Sequence, residues 1–264
     1  TPYDIVKTAR HPLRPLAADY VNMMLDGFVE LHGDRLFGDD KAIICGLGRI
    51  GHEKILFVGH QKGKSTKERI ACNFGMPNPE GYRKALQKMK LAEKFHLPIV
   101  TLIDTPGANP DIGAEERGQA QAIAENIYEM CRLRTPIINI VIGEGGSGGA
   151  LGIGVGDKFA ILEYAYYSVI SPEGCAAILW KNAENTPESA KSLKLTARDL
   201  LKFGIADEII PEPLGAAHKD PKAMAGILKS YIIGYLEEMK NNTVVSLIEN
   251  RYNRYRKIGK YSEE

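Results

Sequence analysis

The stretch that decides the fold is IINIVIGEGGSGGAL, residues 137–151. Its first half is rich in Ile and Val, which predicts a strand covered on both faces of a sheet. Four glycines then lie within five residues around Ser147, and small residues follow. Because glycine has no Cβ, this pattern indicates a backbone that a ligand, in particular an anionic oxygen, can approach closely.

Strands of the same kind recur along the chain and alternate with helices. The sequence predicts them at residues 43–50, 54–60, 99–104, 137–143, 159–162 and 167–170. The strand at 99–104 ends in a second tight loop, Thr105-Pro-Gly-Ala108, and the last strand is followed by the turn Ser171-Pro-Glu-Gly174. Repeated strand–loop–helix units of this α/β kind place several helix N-termini, with free N–H groups, near one edge of the sheet.

Helical segments flank this alternating region. The clearest helix follows Asn78, a predicted N-cap, with Pro79 at the first helical position. The other long predicted helices cover residues 17–32, 115–132 and most of 221–258. We therefore divide the chain into an N-terminal helical segment, a core and a C-terminal helical tail, which are residues 1–38, 39–215 and 216–264.

Composition argues against several classes of function. The chain has 264 residues, 44% apolar and 25% charged, which is ordinary for a globular protein of one large or two modest domains. A formal net charge of +1 gives no overall basic surface for nucleic acid or an anionic membrane. No apolar run is long enough to span a bilayer, and residues 1–14 lack the apolar segment of a signal peptide.

The cysteines and histidines indicate no metal site in this chain. The four cysteines are scattered, with no CxxC pair, and we expect them to be reduced and buried: Cys45, Cys72, Cys131 and Cys175. The six histidines show no metal-ligand spacing. His60 follows a predicted strand, and a structural role is favoured over a catalytic one.

The glycine loop also matches two other motifs that carry chemistry, and a separate stretch resembles a third. Gly143-x-Gly145-x-x-Gly148 fits a dinucleotide fingerprint, with Glu163 20 residues after its first glycine, but no firm helix start follows. Gly145 to Gly149 also fits a nucleophile elbow around Ser147, with Asp207 and His218 downstream. Residues 59–65 resemble a P-loop that is one residue short between its glycines, so this match is discounted.

A larger set of motifs is spread over most of the chain. The set comprises ELHGDR at 30–35, GHQKG at 59–63, NFGM at 73–76, PEGYRKA at 79–85, IDTPGA at 103–108, AEERGQ at 114–119, VIGEGGSGGAL at 141–151, SVISPEGCAA at 168–177 and IPEPLG at 210–215. Together these motifs resemble the carboxyltransferase alpha subunits of the bacterial and plastid acetyl-CoA carboxylases. The resemblance covers about residues 5–260.

The resemblance implies a fold, partners and a location. The fold is crotonase-like, a superhelix of repeated ββα units with helical N- and C-terminal segments. The partner is a beta subunit with a related fold and a cysteine-ligated zinc, in an alpha2beta2 heterotetramer, with the active site between the two subunits. Biotin arrives on a separate biotin carboxyl carrier protein, which biotin carboxylase loads. We expect a cytoplasmic protein, or a stromal one if the source is a plastid.

The resemblance also implies a reaction and its site. Transfer of a carboxyl group from carboxybiotin to acetyl-CoA leaves negative charge on the biotin ureido oxygen and on the thioester oxygen, and both need N–H donors. The backbone N–H groups of Gly148 and Gly149 face the biotin oxygen, and the beta subunit serves the acyl-CoA oxygen. The residues expected to bind substrate around them are Gly145, Gly146, Ser147, Ala150, Pro106, Gly107, Ala108 and Lys62.

Several alternatives remain open at this stage. Pro106 to Ala108 form either the pocket wall or a simple turn, and Lys62, Lys64 and Lys67 either attract CoA phosphates or form a solvated turn. Residues 115–117 suit a solvated helix start, and residues 251–257 suit a terminal helix better than an RNA-binding patch. The alternative function is a crotonase-fold subunit with another acyl-CoA reaction, such as hydration or decarboxylation. A hydratase would need carboxylates placed to handle water, and none is uniquely indicated among Glu115, Glu116, Glu144 and Glu173.

Overall fold

The computed structural model describes residues 1–259, without the side chain of Ala183, and shows an α/β architecture. Its strands form one sheet. In chain order they are β1 Asp26–Glu30, β2 Ile43–Ile50, β3 Glu53–His60, β4 Ile99–Thr105, β5 Ile137–Gly146, β6 Lys158–Leu162, β7 Tyr166–Ser168 and β8 Glu208–Ile210. The six predicted strands are all present, each shifted at its ends by no more than three residues, whereas β1 and β8 were not predicted.

The order of the strands brings several loops to one edge of the sheet. The order is β1-β2-β3-β4-β5-β6-β8, and β7 pairs with β5 beyond the end of β6. Strands β1 to β3 are antiparallel, but β3, β4, β5 and β6 run parallel. The carboxyl ends of β3, β4 and β5 therefore lie side by side, and the loops that follow them meet there.

Helices cover the sheet and bury its central strands. Every residue of β4 and β5 is buried, which explains their unbroken apolar runs. In chain order the helices are α1 Pro2–Ala9, α2 Ala17–Met24, α3 Thr66–Ala71, α4 Pro79–Lys94, α5 Ile112–Glu116, α6 Gln119–Met130, α7 Ser147–Leu151, α8 Pro172–Leu179, α9 Thr186–Ser192, α10 Ala197–Lys202, α11 Pro221–Met239 and α12 Val244–Arg256. Helices α4 and α6 pack against each other beside the parallel strands.

The single helix predicted over residues 17–32 is wrong. Helix α2 ends at Met24, and the chain then enters the edge strand β1. Gly27 has φ +60°, which a continuing helix does not tolerate, and a register irregularity lies between Asp26 and Val29. Phe28 packs edge-on against Phe57 of β3 at 6.2 Å, so burial of this ring favours the strand.

The long helix predicted over residues 115–132 is two helices. Asp111 caps α5 by accepting a hydrogen bond from the Ala114 N–H, and the chain turns at Gly118, with φ +84°, before α6 begins. Asn78 does lie at the N-cap position of α4, but its side chain makes no capping bond. Its Oδ1 instead accepts from the Asn109 side chain at 2.8 Å.

The described part of the predicted C-terminal tail, residues 216–259, contains α11 and α12, joined by a turn at residues 240–243. Residues 260–264 of that prediction lie outside the described residues. Arg251 of α12 is buried, and its guanidinium donates to Asp157 at 2.7 and 2.8 Å. The same group also donates to the carbonyls of Met130, Leu133 and Thr135. The interpretation of this segment as a helix packed on the core is therefore confirmed, because its central arginine faces inward.

Three further features concern the predictions from composition. Cys45, Cys72 and Cys175 are buried and free, but Cys131 is exposed, so the expectation of burial is wrong there. Within residues 1–259, no helix combines the length and the apolarity needed to cross a membrane. In the same part of the chain, no three side chains of His, Cys, Asp or Glu are grouped as metal ligands would be.

Candidate active site

Two glycine-containing loops meet at the carboxyl ends of β4 and β5. Thr105 at the end of β4 pairs with Gly145 near the end of β5. A methyl group added to Gly146 would overlap the Pro106 carbonyl, and one added to Gly149 would overlap the main chain of Gly107 and Ala108. The two loops thus touch backbone to backbone, and glycine is required at these contacts for steric reasons.

Gly148 differs from its neighbours because it faces open space. A Cβ there would approach only the Ile123 side chain, at 4.0 Å. A cavity of about 430 Å³ opens at this point, lined by residues 107–111 and 147–149 and by side chains of α5 and α6. The first-turn N–H groups of α7 have no intrahelical acceptor, and the N-cap Gly146 has no side chain to satisfy them. The cavity therefore suits an anionic oxygen.

Neighbouring side chains hold both loops in place. The Thr105 hydroxyl lies 2.6 Å from the Gly75 carbonyl and accepts a hydrogen bond from the Gly107 N–H at 3.1 Å. The Tyr82 hydroxyl donates to the Gly149 carbonyl at 3.2 Å. These contacts fix the main chain from behind, so the N–H groups of the loops are preorganised.

Behind the loops lies a buried ionic cluster. The Lys62 ammonium is 2.6 Å from Asp104 Oδ1 and 2.7 Å from Glu144 Oε1, and the Glu144 N–H donates to Asp104 Oδ1 at 2.9 Å. Burial lowers the pKa of Lys62, but the two carboxylates outweigh it, so the pKa lies above its ordinary value. Lys62 is therefore charged and paired.

Glu144 is also held by Arg10, which directly follows α1, and by Tyr166 of β7. Arg10 Nε lies 2.9 Å from Glu144 Oε2, and the Tyr166 hydroxyl donates to the same oxygen at 2.7 Å. Burial raises the pKa of Glu144, but Lys62 and Arg10 outweigh it and lower the value to about 2. A carboxylate that is ionised and already bound by Lys62, Arg10 and Tyr166 is poorly suited to the acid–base role that a hydratase would need. Glu173, which pairs with Arg10 at 2.7 Å, belongs to the same cluster.

His60 is buried beside this cluster. Its Nδ1 accepts a hydrogen bond from the Asp104 N–H at 3.4 Å. Burial, assisted by the positive charge of Lys62, lowers the pKa of His60 to about 3. The ring is neutral at physiological pH, which agrees with the structural role predicted for it.

The structure assembles no catalytic triad around Ser147 among the described residues. Ser147 is exposed and has φ +51°, so the turn does resemble a nucleophile elbow. Asp207, however, pairs with Arg254 at 3.0 Å, and His218 stacks on His11 at 3.8 Å. The dinucleotide interpretation is equally unsupported, because α7 is only five residues long.

The predicted site residues fall into two groups. Pro106 contacts Gly146, Gly107 and Ala108 contact Gly149, and Ala150, the next residue of α7, is buried. Lys62, Asp104 and Glu144 instead line a second cavity, of about 250 Å³. Lys64 pairs with Asp19 at 2.6 Å, and Glu115 and Glu116 are exposed near the first cavity.

Sequence reasoning missed Asp104, Thr105, Arg10 and Tyr166 as members of this region. A usable signal existed for Asp104, because Asp104 ends one predicted strand, Glu144 directly follows the next, and Lys62 lies two residues after a third. Polar groups at the ends of neighbouring parallel strands commonly lie close together. No comparable signal marked Arg10, which comes from the distant N-terminal segment.

A known protein family matches the whole described chain. The family model described as acetyl co-enzyme A carboxylase carboxyltransferase-like matches residues 1–259. The acetyl-coenzyme A carboxylase carboxyl transferase subunit alpha of Rhodopirellula baltica is 54% identical over 263 residues, which is 100% of this chain and 82% of that protein. The protein of the same name from Geobacter sulfurreducens is 56% identical over 261 residues, covering 99% and 82%.

Solved structures share the fold at low sequence identity. Transcarboxylase 12S with methylmalonyl-coenzyme A and methylmalonic acid bound has a TM-score of 0.69 and 16% identity, covering 88% of this chain and 44% of that chain. The Pseudomonas malonate decarboxylase hetero-tetramer in complex with coenzyme A has a TM-score of 0.66 and 14% identity, covering 83% and 89%. The expected crotonase-like fold is thereby confirmed. More than half of this chain's residues are identical to those of the Rhodopirellula and Geobacter proteins over nearly its full length. The chain therefore belongs to the family of acetyl-CoA carboxylase carboxyltransferase alpha subunits, which are components of a transferase.

Proposed function

We propose that this chain provides the biotin-binding half of an active site that transfers a carboxyl group from carboxybiotin to acetyl-CoA, giving malonyl-CoA for fatty acid synthesis. The names of its relatives supply the reaction. The observation that supports the assigned half-site is Gly148, whose N–H lies in the first turn of α7 while its Cα faces an open cavity.

The cavity beside Gly148 is chemically suited to a biotin head group. Its volume of about 430 Å³ lies within the ordinary range of small-molecule sites. Residues 107–111 and 147–149 line the cavity together with Glu115, Gln119, Ala120 and Ile123. The carboxylate of Asp111 is occupied, because it accepts hydrogen bonds from the Ala114 N–H and the Asn109 side chain. Under this proposal Gly145, Gly146, Ser147 and Ala150 shape the floor of the site, and Pro106, Gly107 and Ala108 shape its side.

Electrostatic stabilisation by the main chain is the central task of these residues. When bound, carboxybiotin would supply the carboxyl group, and its ureido oxygen would gain negative charge as that group leaves. The N–H groups of Gly148 and Gly149 are proposed to donate to this oxygen, and the backbone contacts behind them keep the donors in place. No side-chain base is required in this chain.

The proposal includes partners that complete the site. A beta subunit would bind acetyl-CoA and carry the zinc, in an alpha2beta2 assembly, and the biotin carboxyl carrier protein, loaded by biotin carboxylase, would deliver the biotin. The compartment follows from these partners and is the bacterial cytoplasm or the plastid stroma. We retain the boundaries at residues 38 and 215 as a proposed division, with the site inside the central part.

Reconstitution tests the half-site assignment directly. Malonyl-CoA decarboxylation with free biotin as acceptor would be measured for this chain alone, for the beta subunit alone and for the two together. We expect activity only from the assembled pair, because one of the two oxyanion sites is missing from each subunit. Full activity from this chain alone would contradict the proposal.

A further inference from the structure

Lys62, Asp104 and Glu144, here called the Lys62 cluster, join the ends of three adjacent parallel strands. Lys62 follows β3, Asp104 is the penultimate residue of β4, and Glu144 lies near the end of β5. The Lys62 ammonium contacts both carboxylates, at 2.6 and 2.7 Å, and the Glu144 N–H donates a hydrogen bond to Asp104 Oδ1. The cluster thus ties three separate chain segments together at one point.

Each carboxylate immediately precedes one of the two loops. Asp104 is bonded to Thr105, where the loop to Ala108 begins, and Glu144 is bonded to Gly145, where the glycine loop begins. The distance between the loops therefore depends on how Asp104 and Glu144 are held. Without Lys62, two carboxylates would face each other in a buried place, and like charges at that range repel.

The two loops are in close contact, so a change in the distance between them would change the position of the N–H groups. Gly149 packs on the main chain of Gly107 and Ala108 with no room for a methyl group, and Gly146 packs in the same way on Pro106. A shift of either loop would therefore move the Gly148 and Gly149 N–H groups relative to the cavity. A misplacement of about 1 Å in an active site can cost on the order of 100-fold in rate.

We propose that Lys62 is a positioning residue, which holds the two loops at their working distance through Asp104 and Glu144 rather than by contacting the substrate. This inference rests on the proposed function for its kinetic readout. It differs from the role of substrate binding predicted for Lys62, because the Lys62 side chain is only 16% exposed and its ammonium already contacts two carboxylates.

The test compares Lys62→Met and Lys62→Arg in the complex assembled with the beta subunit. Lys240→Met is a matched control, because Lys240 also bridges two carboxylates, Glu237 at 2.7 Å and Glu53 at 2.8 Å, but lies at the end of α11. The measurements are kcat, KM for biotin and KM for malonyl-CoA, together with amide hydrogen exchange of residues 105–109 and 145–151.

For Lys62→Met we expect kcat to fall by about 10- to 100-fold, both KM values to stay within a few-fold, and exchange to rise in both loops. Lys62→Arg should recover most of kcat, and Lys240→Met should match the wild type in every measurement. A Lys62→Met variant with raised KM, unchanged kcat and unchanged exchange would establish a substrate contact and overturn the proposal. Unchanged exchange with an unchanged rate would overturn it as well.

The exchange measurement separates this proposal from the proposed function. If the wild-type complex transfers no carboxyl group, the function is wrong, but loosening of both loops in Lys62→Met would still support the positioning role. If the wild-type complex is active and Lys62→Met leaves exchange and kcat unchanged, the positioning role alone fails.

Discussion

Gly149 packs so closely on Gly107 that a single methyl group on Gly149 would overlap the Gly107 main chain, whereas the adjacent Gly148 faces an open cavity. Two neighbouring glycines therefore have different physical reasons to lack a side chain. At position 149 the reason is packing between loops, and at position 148 it is access to the cavity. Substitutions at the two positions should separate these effects.

Gly148→Val should leave the fold intact and greatly reduce the rate. Its Cβ meets nothing closer than Ile123 at 4.0 Å, but the side chain would occupy the cavity and obstruct the N–H donors. Loss of one such donor typically costs about 100- to 1,000-fold in kcat. The thermal midpoint of the complex and its acetyl-CoA binding should stay near wild type. Turnover within a few-fold of wild type would show that Gly148 is not part of the site.

Gly149→Ala should instead destabilise the assembled protein. The added methyl group forces the loops apart, and overpacking of this kind typically costs about 1–3 kcal/mol. Chemical denaturation measures this loss, with Gly148→Ala as the control that adds the same methyl group in open space. Equal stability of the two alanine variants would contradict the packing role.

Ser147→Ala should retain activity within a few-fold. Ser147 lies at the turn with φ +51°, and Asp207 and His218 are engaged elsewhere by Arg254 and His11. Fluorophosphonate treatment of the complex, followed by mass spectrometry, should find no adduct at Ser147. An adduct together with an inactive alanine variant would restore the hydrolase interpretation.

His60 should make stability depend on pH. Its pKa is about 3 in the folded chain because of burial and the charge of Lys62, against an ordinary value of 6.5. Between these values the unfolded chain binds the proton and the folded chain does not, so stability falls as the pH falls through this window. The loss attributable to His60 is about 2 kcal/mol between pH 8 and pH 5.

His60→Asn should flatten that dependence, because an amide oxygen can still accept from the Asp104 N–H but does not titrate. The measurement is the free energy of unfolding at pH 8, 6.5 and 5. His52→Asn, in the exposed turn between β2 and β3, is the control and should behave as the wild type. An unchanged slope in His60→Asn would show that other groups cause the pH dependence.

Arg251→Met should strongly destabilise the chain. The guanidinium is buried and contacts Asp157 and three carbonyl groups, so its removal leaves a buried carboxylate without its cation. Breaking such a pair typically costs about 3–5 kcal/mol. The exposed Arg256 provides the control, since Arg256→Met should change the free energy of unfolding by little. If both variants changed the free energy of unfolding by similarly small amounts, α12 would not be anchored through Arg251.

The elements with a strong internal pattern were predictable from the sequence. The Ile- and Val-rich runs that form β4 and β5 are buried on both faces, so their apolar pattern predicted the central strands of the sheet. Strand β1 was missed because it is an edge strand of mostly exposed residues that follows a helix directly. The break at Gly118 was missed because the polar residues on either side of it are all compatible with a helix, and only the positive φ of Gly118 separates α5 from α6.

The candidate site was only partly predictable for a different reason. The glycine loop is a local feature, and the lack of Cβ atoms that allows close approach to it can be inferred from the sequence alone. The pairing of Lys62 with Asp104 and Glu144 depends on β3, β4 and β5 being neighbours in space, which no short stretch of sequence encodes. The position of Arg10 depends on the path of the first helix across the sheet edge.

The same adjacency of parallel strands bears on how the chain folds. Glu144 and Asp104 are 40 residues apart in sequence, and Glu144 and Lys62 are 82 apart. Parallel neighbours need crossover connections, so these contacts have a large sequence separation, and we expect them to form late in folding. On refolding, helical circular dichroism should therefore return before the capacity to support catalysis, because the site needs all three strands in place.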